Sequence, residues 1–419
     1  MSSAPGARTT PATLRSPYDL GPADLAALAE ASGEPAYRAR QLAHWLDGRR
    51  QPDPRRMSDL PGSLRARLAY RFAGAGLTLE RHQAGDGGWT HKLLFRLPGG
   101  DAVESVLMLY PRARATVCVS TQAGCAMGCT FCATGQFGFT RQLSAGEVVE
   151  QVARVSTMLP ELRPGPDAPD HLTNVVFMGM GEPFANPAAT WGAAWRLHRG
   201  FGLSARAITI STVGLVPGIR RAASEPLPVN LAISIHAADD RLRDRLVPVN
   251  RSWPIAELLA AVREYVTATR RRVSFEYALM AGVNDGVDQA ERLGRLLAPL
   301  RVPGGGGHAA HVNLIPYNPT PGIEFAPPSK AAVRRFRDAV AATGVPVSVR
   351  ANRGVGIDAA CGQLRTSAGR PGRAPRSTGG MSVSPTDRGT PPGFPGPLRP
   401  DPPPTGRPPT PHGATEVRR

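Results

Sequence analysis

The sequence predicts an α/β protein: a partial, TIM-like (β/α)6 barrel with a small helical domain before it and a disordered tail behind. Two observations carry the barrel. From residue 115 onward, short apolar and β-branched runs alternate with longer stretches of helical period, as in a parallel sheet covered by helices. The polar and glycine-rich clusters fall just after the strand-like runs, at the carboxyl ends where such barrels gather their chemistry. A third observation marks the ends: residues 1–17 and 365–419 are rich in Pro, Ser, Thr, Gly or Arg and show no period, so both read as disordered.

Taken in order, residues 18–75 show helical periodicity over 24–28, 37–46 and 60–68, with Pro61 near the start of the last run. This helical domain carries Arg38, Arg40, Arg49, Arg50, Arg55, Arg56, Arg65, Arg67 and Arg71, which read equally as a phosphate-binding face or a solvated one. Residues 76–111 read as a β-hairpin linker, with strands at 89–97 and 102–109 around the turn Pro98-Gly99-Gly100-Asp101. The barrel, 112–364, has expected strands at 116–121, 174–180, 207–212, 229–236, 273–279 and 311–316. Its first helix opens on Ser144 and Glu147, spaced as a capping box; others span 187–199, 254–271, 285–300 and 329–343. Six units leave such a barrel open on one side, where a macromolecule can enter.

With 419 residues, 41% of them apolar, the chain can bury a large core. The net charge is +17, and of 50 basic residues only Lys92 and Lys330 are lysines. Residues 365–419 hold nine Arg against Asp387, Asp401 and Glu416, so +11 remains in the folded part and implies a polyanionic partner, nucleic acid. No secretory pattern or membrane-length apolar run is visible, and cysteines placed for a metal centre imply a reducing compartment, the cytoplasm.

Four of the five cysteines lie within 115–141, ATVCVSTQAGCAMGCTFCATGQFGFTR. Cys125, Cys129 and Cys132 are spaced C-x3-C-x2-C among Gly124, Gly128 and Gly135. Three thiolates on one short loop suit an iron–sulfur cluster with one iron open to a non-protein ligand. A zinc loop is the alternative, but zinc motifs usually pair two C-x2-C halves and the chain has no second half. Cys118, inside an apolar strand, reads as a small buried hydrophobe or a functional thiol, and Cys361, in a glycine-flanked loop, as a mobile reactive thiol. Alone, Glu104 reads as a surface residue and His236 as a structural strand-end histidine.

The cysteine spacing, with Phe131 before the third cysteine, resembles the radical S-adenosylmethionine (SAM) superfamily. The segments VESVLM (103–108), CVSTQAGCAMGCTFCATGQFGF (118–139), GMGEP (179–183), ISTVG (210–214), SIHA (234–237), NLIPYNP (313–319) and IDAACGQL (357–364) together resemble the RlmN-type RNA methyltransferases. One departure is Gly356, where that family usually has Asp. The resemblance implies a radical SAM barrel that methylates C2 of adenosine in 23S rRNA, at the peptidyl-transferase centre, and in tRNA, next to the anticodon. It implies a [4Fe-4S] cluster on Cys125, Cys129 and Cys132, and two SAM molecules per turnover. One SAM would methylate Cys361; the other would be cleaved to a radical that activates that methyl group for addition to C2. Glu104 would accept the C2 proton, and Cys118 would release the product through a transient disulfide with Cys361. SAM would lie against Gly181, Glu182, Ser211, Ser234, Ile235, His236 and Asn318. A flavodoxin- or ferredoxin-type electron donor and a monomeric state are also implied. The rivals are the sister enzyme that methylates C8 and confers antibiotic resistance, and a non-catalytic iron–sulfur sensor that binds nucleic acid.

Overall fold

The computed structural model describes residues 15–305 and 307–364; the tail from residue 365 and all but the last three residues of the leader lie outside them. Helices α1 (Pro22–Ala31), α2 (Tyr37–Ala43) and α3 (Gly62–Arg71) form the expected N-terminal helical region. Their inward residues, among them Leu25, Leu42, Leu64 and Leu68, are buried. Polar contacts dock this region on the barrel. Arg196 donates to the carbonyls of Tyr18 and Leu20 at 2.6 and 2.8 Å and pairs with Asp47 at 2.9 Å. Asp19 accepts from the Gly146 amide at 2.8 Å, and a Cβ at Gly146 would collide with the Asp19 backbone, which accounts for glycine in the first turn of the helix Ala145–Leu162. Arg50 turns inward, donating to Ser156 Oγ and the Phe201 carbonyl, and so leaves the candidate phosphate face. Arg40, Arg49, Arg55, Arg56, Arg67 and Arg71 are exposed.

Strands β1 (Thr78–Gly85), β2 (Thr90–Arg96) and β3 (Ala102–Tyr110) form an antiparallel meander whose last member pairs antiparallel with β4 (Arg114–Cys118). The expected hairpin is therefore part of the main sheet. A small pair, β5 (Gln122–Gly124) and β6 (Phe139–Gln142), flanks helix α4 (Ala133–Phe137) in the cysteine loop. The parallel strands are β7 (Asn174–Phe177), β8 (Ile208–Thr212), β9 (Asn230–Ser234), β10 (Val273–Leu279), β11 (Ala310–Pro316) and β12 (Val347–Val349). The main sheet runs β1-β2-β3-β4-β7-β8-β9-β10-β11-β12, with β4 through β12 mutually parallel and β1 and β12 as its two edges.

All six expected barrel strands are present, though the first, second and fourth stop early, at Cys118, Phe177 and Ser234. Beyond β9 the chain turns sharply, since His236 takes φ +55°, which strands do not adopt. Helices α5 (Ala145–Leu162), α6 (Pro187–Arg199), α7 (Val216–Ser224), α8 (Asp240–Leu246), α9 (Ile255–Thr269), α10 (Val287–Leu297) and α11 (Lys330–Ala342) alternate with the strands. The predicted capping box opens α5: Ser144 Oγ accepts from the Glu147 amide and the Glu147 carboxylate from the Ser144 amide. Among the described residues no helix is long and apolar enough to cross a membrane.

Candidate active site

The turns after the parallel strands enclose an open-mouthed cavity with about 1000 Å³ of empty space, part of it open to solvent. Cys125, Cys129 and Cys132 line it from one side and Cys361 from another. The cysteine loop is held by its backbone. The Cys125 amide donates to the Gly138 carbonyl at 2.9 Å, and the Thr130 amide donates to Leu246 at 3.1 Å. The loop carrying Cys361 docks on α4, where the Ala133 amide donates to Gly362 O at 2.7 Å and Thr134 Oγ1 to Leu364 O at 2.6 Å.

The chemistry of the three thiols fits a cluster. Burial pushes Cys125 up to about 12 and holds Cys129 and Cys132 above the usual thiol range, and each charge would oppose its neighbours. Three such thiolates are stable together only around a strongly cationic centre. Among the described residues no three ligand-type side chains are gathered tightly enough for a single ion.

Of the residues expected to meet SAM, Gly181, Glu182, Ser211, Ser234, His236 and Asn318 line the cavity. Ile235 does not: its side chain is fully buried, and its backbone bonds to Glu276 and Arg243. Alternation within SIHA turns the isoleucine to the core while Ser234 and His236 face the cavity. Gly181 has φ +102°, and a Cβ there would come within 2.6 Å of Gln122. Glu182 is buried with its carboxylate accepting the Phe184 and Val213 amides at 3.0 and 2.9 Å, yet desolvation raises it to about 7. His236 accepts the Ala278 amide on Nδ1 at 3.0 Å, which leaves its proton on Nε2, and burial lowers its pKa to about 3. The ring is a neutral donor. The Asn318 Oδ1 is buried without a hydrogen-bond partner in a cavity wall, an acceptor that a ligand can use.

Glu182 sets a pH dependence. As pH rises from 4.5 to 7 the unfolded chain ionises this carboxyl before the folded protein does, so stability falls across that window, by about 3 kcal/mol in all. Denaturation of the cluster-free protein at pH 4 and pH 8 is expected to show Glu182→Gln gaining on the native chain by that amount. A difference independent of pH would contradict the buried-carboxyl assignment.

Glu104 and Cys118 are not among the residues that line the cavity; they share one face of β3 and β4, with Cys118 near the cavity-lining Cys361. Both are buried, which corrects the surface reading of Glu104. Lys92 Nζ stands 3.5 Å from Glu104 Oε1. Burial, then the nearby Cys361, pushes Cys118 up to about 12. All five cysteines are free, so the expected disulfide between Cys118 and Cys361 is absent. The reason is local: Cys118 is fixed in β4 opposite Val106 and Val176, while Cys361 is exposed on a loop held by its own contacts. Among those contacts, the Gly354 amide donates to Asp86 Oδ2 at 2.8 Å.

Sequence reasoning missed three charged residues here. Glu276 and Arg350 line the cavity and pair at 3.3 Å, and proximity to Cys361 raises the Arg350 guanidinium above its ordinary value. Arg243 is fully buried and donates to the carbonyls of Val213, Ser234 and Ile235 and to Asn250 Oδ1. A carboxylate within the apolar run VSFEYAL was a visible signal for Glu276, whereas Arg243, in DRLRDRL, looks like any solvated helix arginine.

Comparison with known proteins agrees with this geometry. Residues 119–293 match the model of the radical SAM superfamily, and residues 18–73 that of the ribosomal RNA large subunit methyltransferase N-terminal domain. A Chloroflexus aurantiacus protein named "Probable dual-specificity RNA methyltransferase RlmN" is 52% identical over 355 residues, 83% of this chain and 92% of its own. One of the same name from Mycobacterium tuberculosis is 50% identical over 366 residues, covering 85% and 96%. The crystal structure of a radical SAM methyltransferase from Sphaerobacter thermophilus superposes with a TM-score of 0.77 at 50% identity, covering 84% of this chain and 99% of that one. With half its residues identical to these relatives over most of both chains, the protein belongs to the RlmN family of radical SAM RNA methyltransferases.

Proposed function

We propose that the protein methylates C2 of adenosine in 23S rRNA, and in tRNA, with the methyl group carried on Cys361. The observation that carries this reading is that one cavity is lined by the three clustered cysteines, by Glu182, His236 and Asn318, and by the separate thiol of Cys361. C2 of adenine is electrophilic and has no acidic proton, so polar transfer from SAM finds no nucleophile there and a radical route is required. A [4Fe-4S] cluster held by Cys125, Cys129 and Cys132 supplies, when bound, the electron that cleaves SAM reductively.

The chain's own residues prepare the rest. Glu182 offers a buried carboxylate to the cationic part of SAM, and His236 Nε2–H and Asn318 Oδ1 offer a donor and an acceptor. Cys361, exposed and in the cavity wall, takes a methyl group from one SAM, so each turnover uses two. Glu104 accepts the proton that leaves C2, and Cys118 keeps a reduced thiol close to Cys361. The exposed arginines of the helical region hold the surrounding RNA while the target base is splayed into the cavity. Five free thiols suit the cytoplasm, where a flavodoxin- or ferredoxin-type donor would supply electrons; the chain acts as a monomer.

The test is nucleoside mass spectrometry of a 23S rRNA fragment and of tRNA after reaction with the reconstituted enzyme and a chemical reductant. We expect 2-methyladenosine in both. Methylation at C8 would reassign the protein to the sister activity, and a product confined to rRNA would remove tRNA from its substrates.

A further inference from the structure

Lys92 is one of only two lysines in a chain with 50 basic residues. Where arginine serves almost everywhere, an interior lysine marks a place that takes a compact ammonium and not a planar guanidinium. Its side chain is only 8% exposed and that of Glu104 only 3%, with 3.5 Å between Nζ and Oε1. The same ammonium donates to the carbonyl of Asp358 at 3.3 Å. Asp358 holds a left-handed backbone, φ +51°, three residues before Cys361. Strand register explains the meeting: Lys92 lies opposite Val106, Val106 lies opposite Cys118, and Glu104 stands two residues before Val106 on the same face of β3. One side chain thus touches both a buried carboxylate and the backbone of the cysteine loop.

We propose that Lys92 is a positioning residue for the methyl transfer: its ammonium fixes the Glu104 carboxylate and the Asp358 carbonyl together, so that the proton acceptor and the loop carrying Cys361 are held in register. The proposal rests on the reading of Glu104 as that acceptor. A tetrahedral ammonium can serve both acceptors at once, and its removal leaves a buried carboxylate without this partner and the loop without one of its ties.

Lys92→Ala in the cluster-loaded full chain tests it, with Lys92→Met, which keeps the bulk, as the second variant should the first fail to fold. For RNA methylation we expect kcat to fall about 100-fold with KM for RNA within about 3-fold, since Lys92 is buried and acts through Glu104 and the cysteine loop. Hydrogen exchange of the amides in 354–364 should quicken about tenfold, with α9 and α10 unchanged. Added ethylammonium should restore at least part of kcat to Lys92→Ala, and ethanol should not; a merely structural lysine would show no such distinction. Unchanged loop exchange, or no selective rescue by the amine, would overturn the proposal. Glu104→Gln separates it from the reading beneath: full methylation by that variant would remove Glu104 as the acceptor, while the loop exchange of Lys92→Ala would still report the tether.

Discussion

Cys361→Ala is expected to lower RNA methylation about 10⁴-fold or more, because a covalent carrier has no substitute among the remaining side chains. The same change should leave the fold nearly untouched. Cys361 is exposed, and its loop is held by other atoms: the Gly362 and Leu364 carbonyls on α4, the Gly354 amide on Asp86, and the Asp358 carbonyl on Lys92. Removing an exposed sulfur costs within about 0.5 kcal/mol, so the urea midpoint should hardly move. Measured side by side, a dead enzyme with native stability would separate chemistry from folding. Residual methylation above about 1% of the native rate would contradict Cys361 as the carrier.

The second large effect falls on stability. Arg243→Met removes donors at 3.0 Å to Ile235 O, 2.7 Å to Asn250 Oδ1, 2.6 Å to Val213 O and 3.3 Å to Ser234 O, all in the interior. Burial lowers this guanidinium to about 10, still protonated at neutral pH, so the native protein holds a buried cation satisfied mainly by carbonyls. Methionine fills much of the volume but leaves these acceptors without partners, at a cost of about 4 kcal/mol. The damage reaches the cavity as well, because Val213 bonds Arg243 through its carbonyl and Glu182 through its amide, 2.9 Å from Oε2. Urea denaturation of Arg243→Met should show the loss. A variant as stable as the native chain would mean that water or a local shift satisfies those carbonyls.

The parts of this protein legible in its sequence are those written in local pattern. The C-x3-C-x2-C loop, the capping box at Ser144 and the six barrel strands each need only a short window to be seen. Strand β1 is not visible in the sequence because its run, TLERHQAG, lacks apolar–polar alternation, being mostly exposed at the sheet edge. Strand β12 is three residues long and carries no pattern at all. The site divides in the same way. Ser234 and His236 can be placed from their strand end, while the side chain of Ile235 between them is in the core. Glu104 gained meaning only through Lys92 and Cys118, and that juxtaposition depends on the register of β2, β3 and β4 and on the return of Asp358 from 266 positions away. Such long-range pairings are not encoded in any one window.

The most direct test of the central claim is the mass of the tryptic peptide GVGIDAACGQLR, residues 354–365, from cluster-reconstituted protein incubated anaerobically with SAM. One added methyl group is expected, located on Cys361 by fragmentation. An unmodified thiol, in protein shown spectroscopically to hold its cluster, would contradict the methyl-carrying cysteine, and Gly356, where the family usually has Asp, would be the first residue to restore.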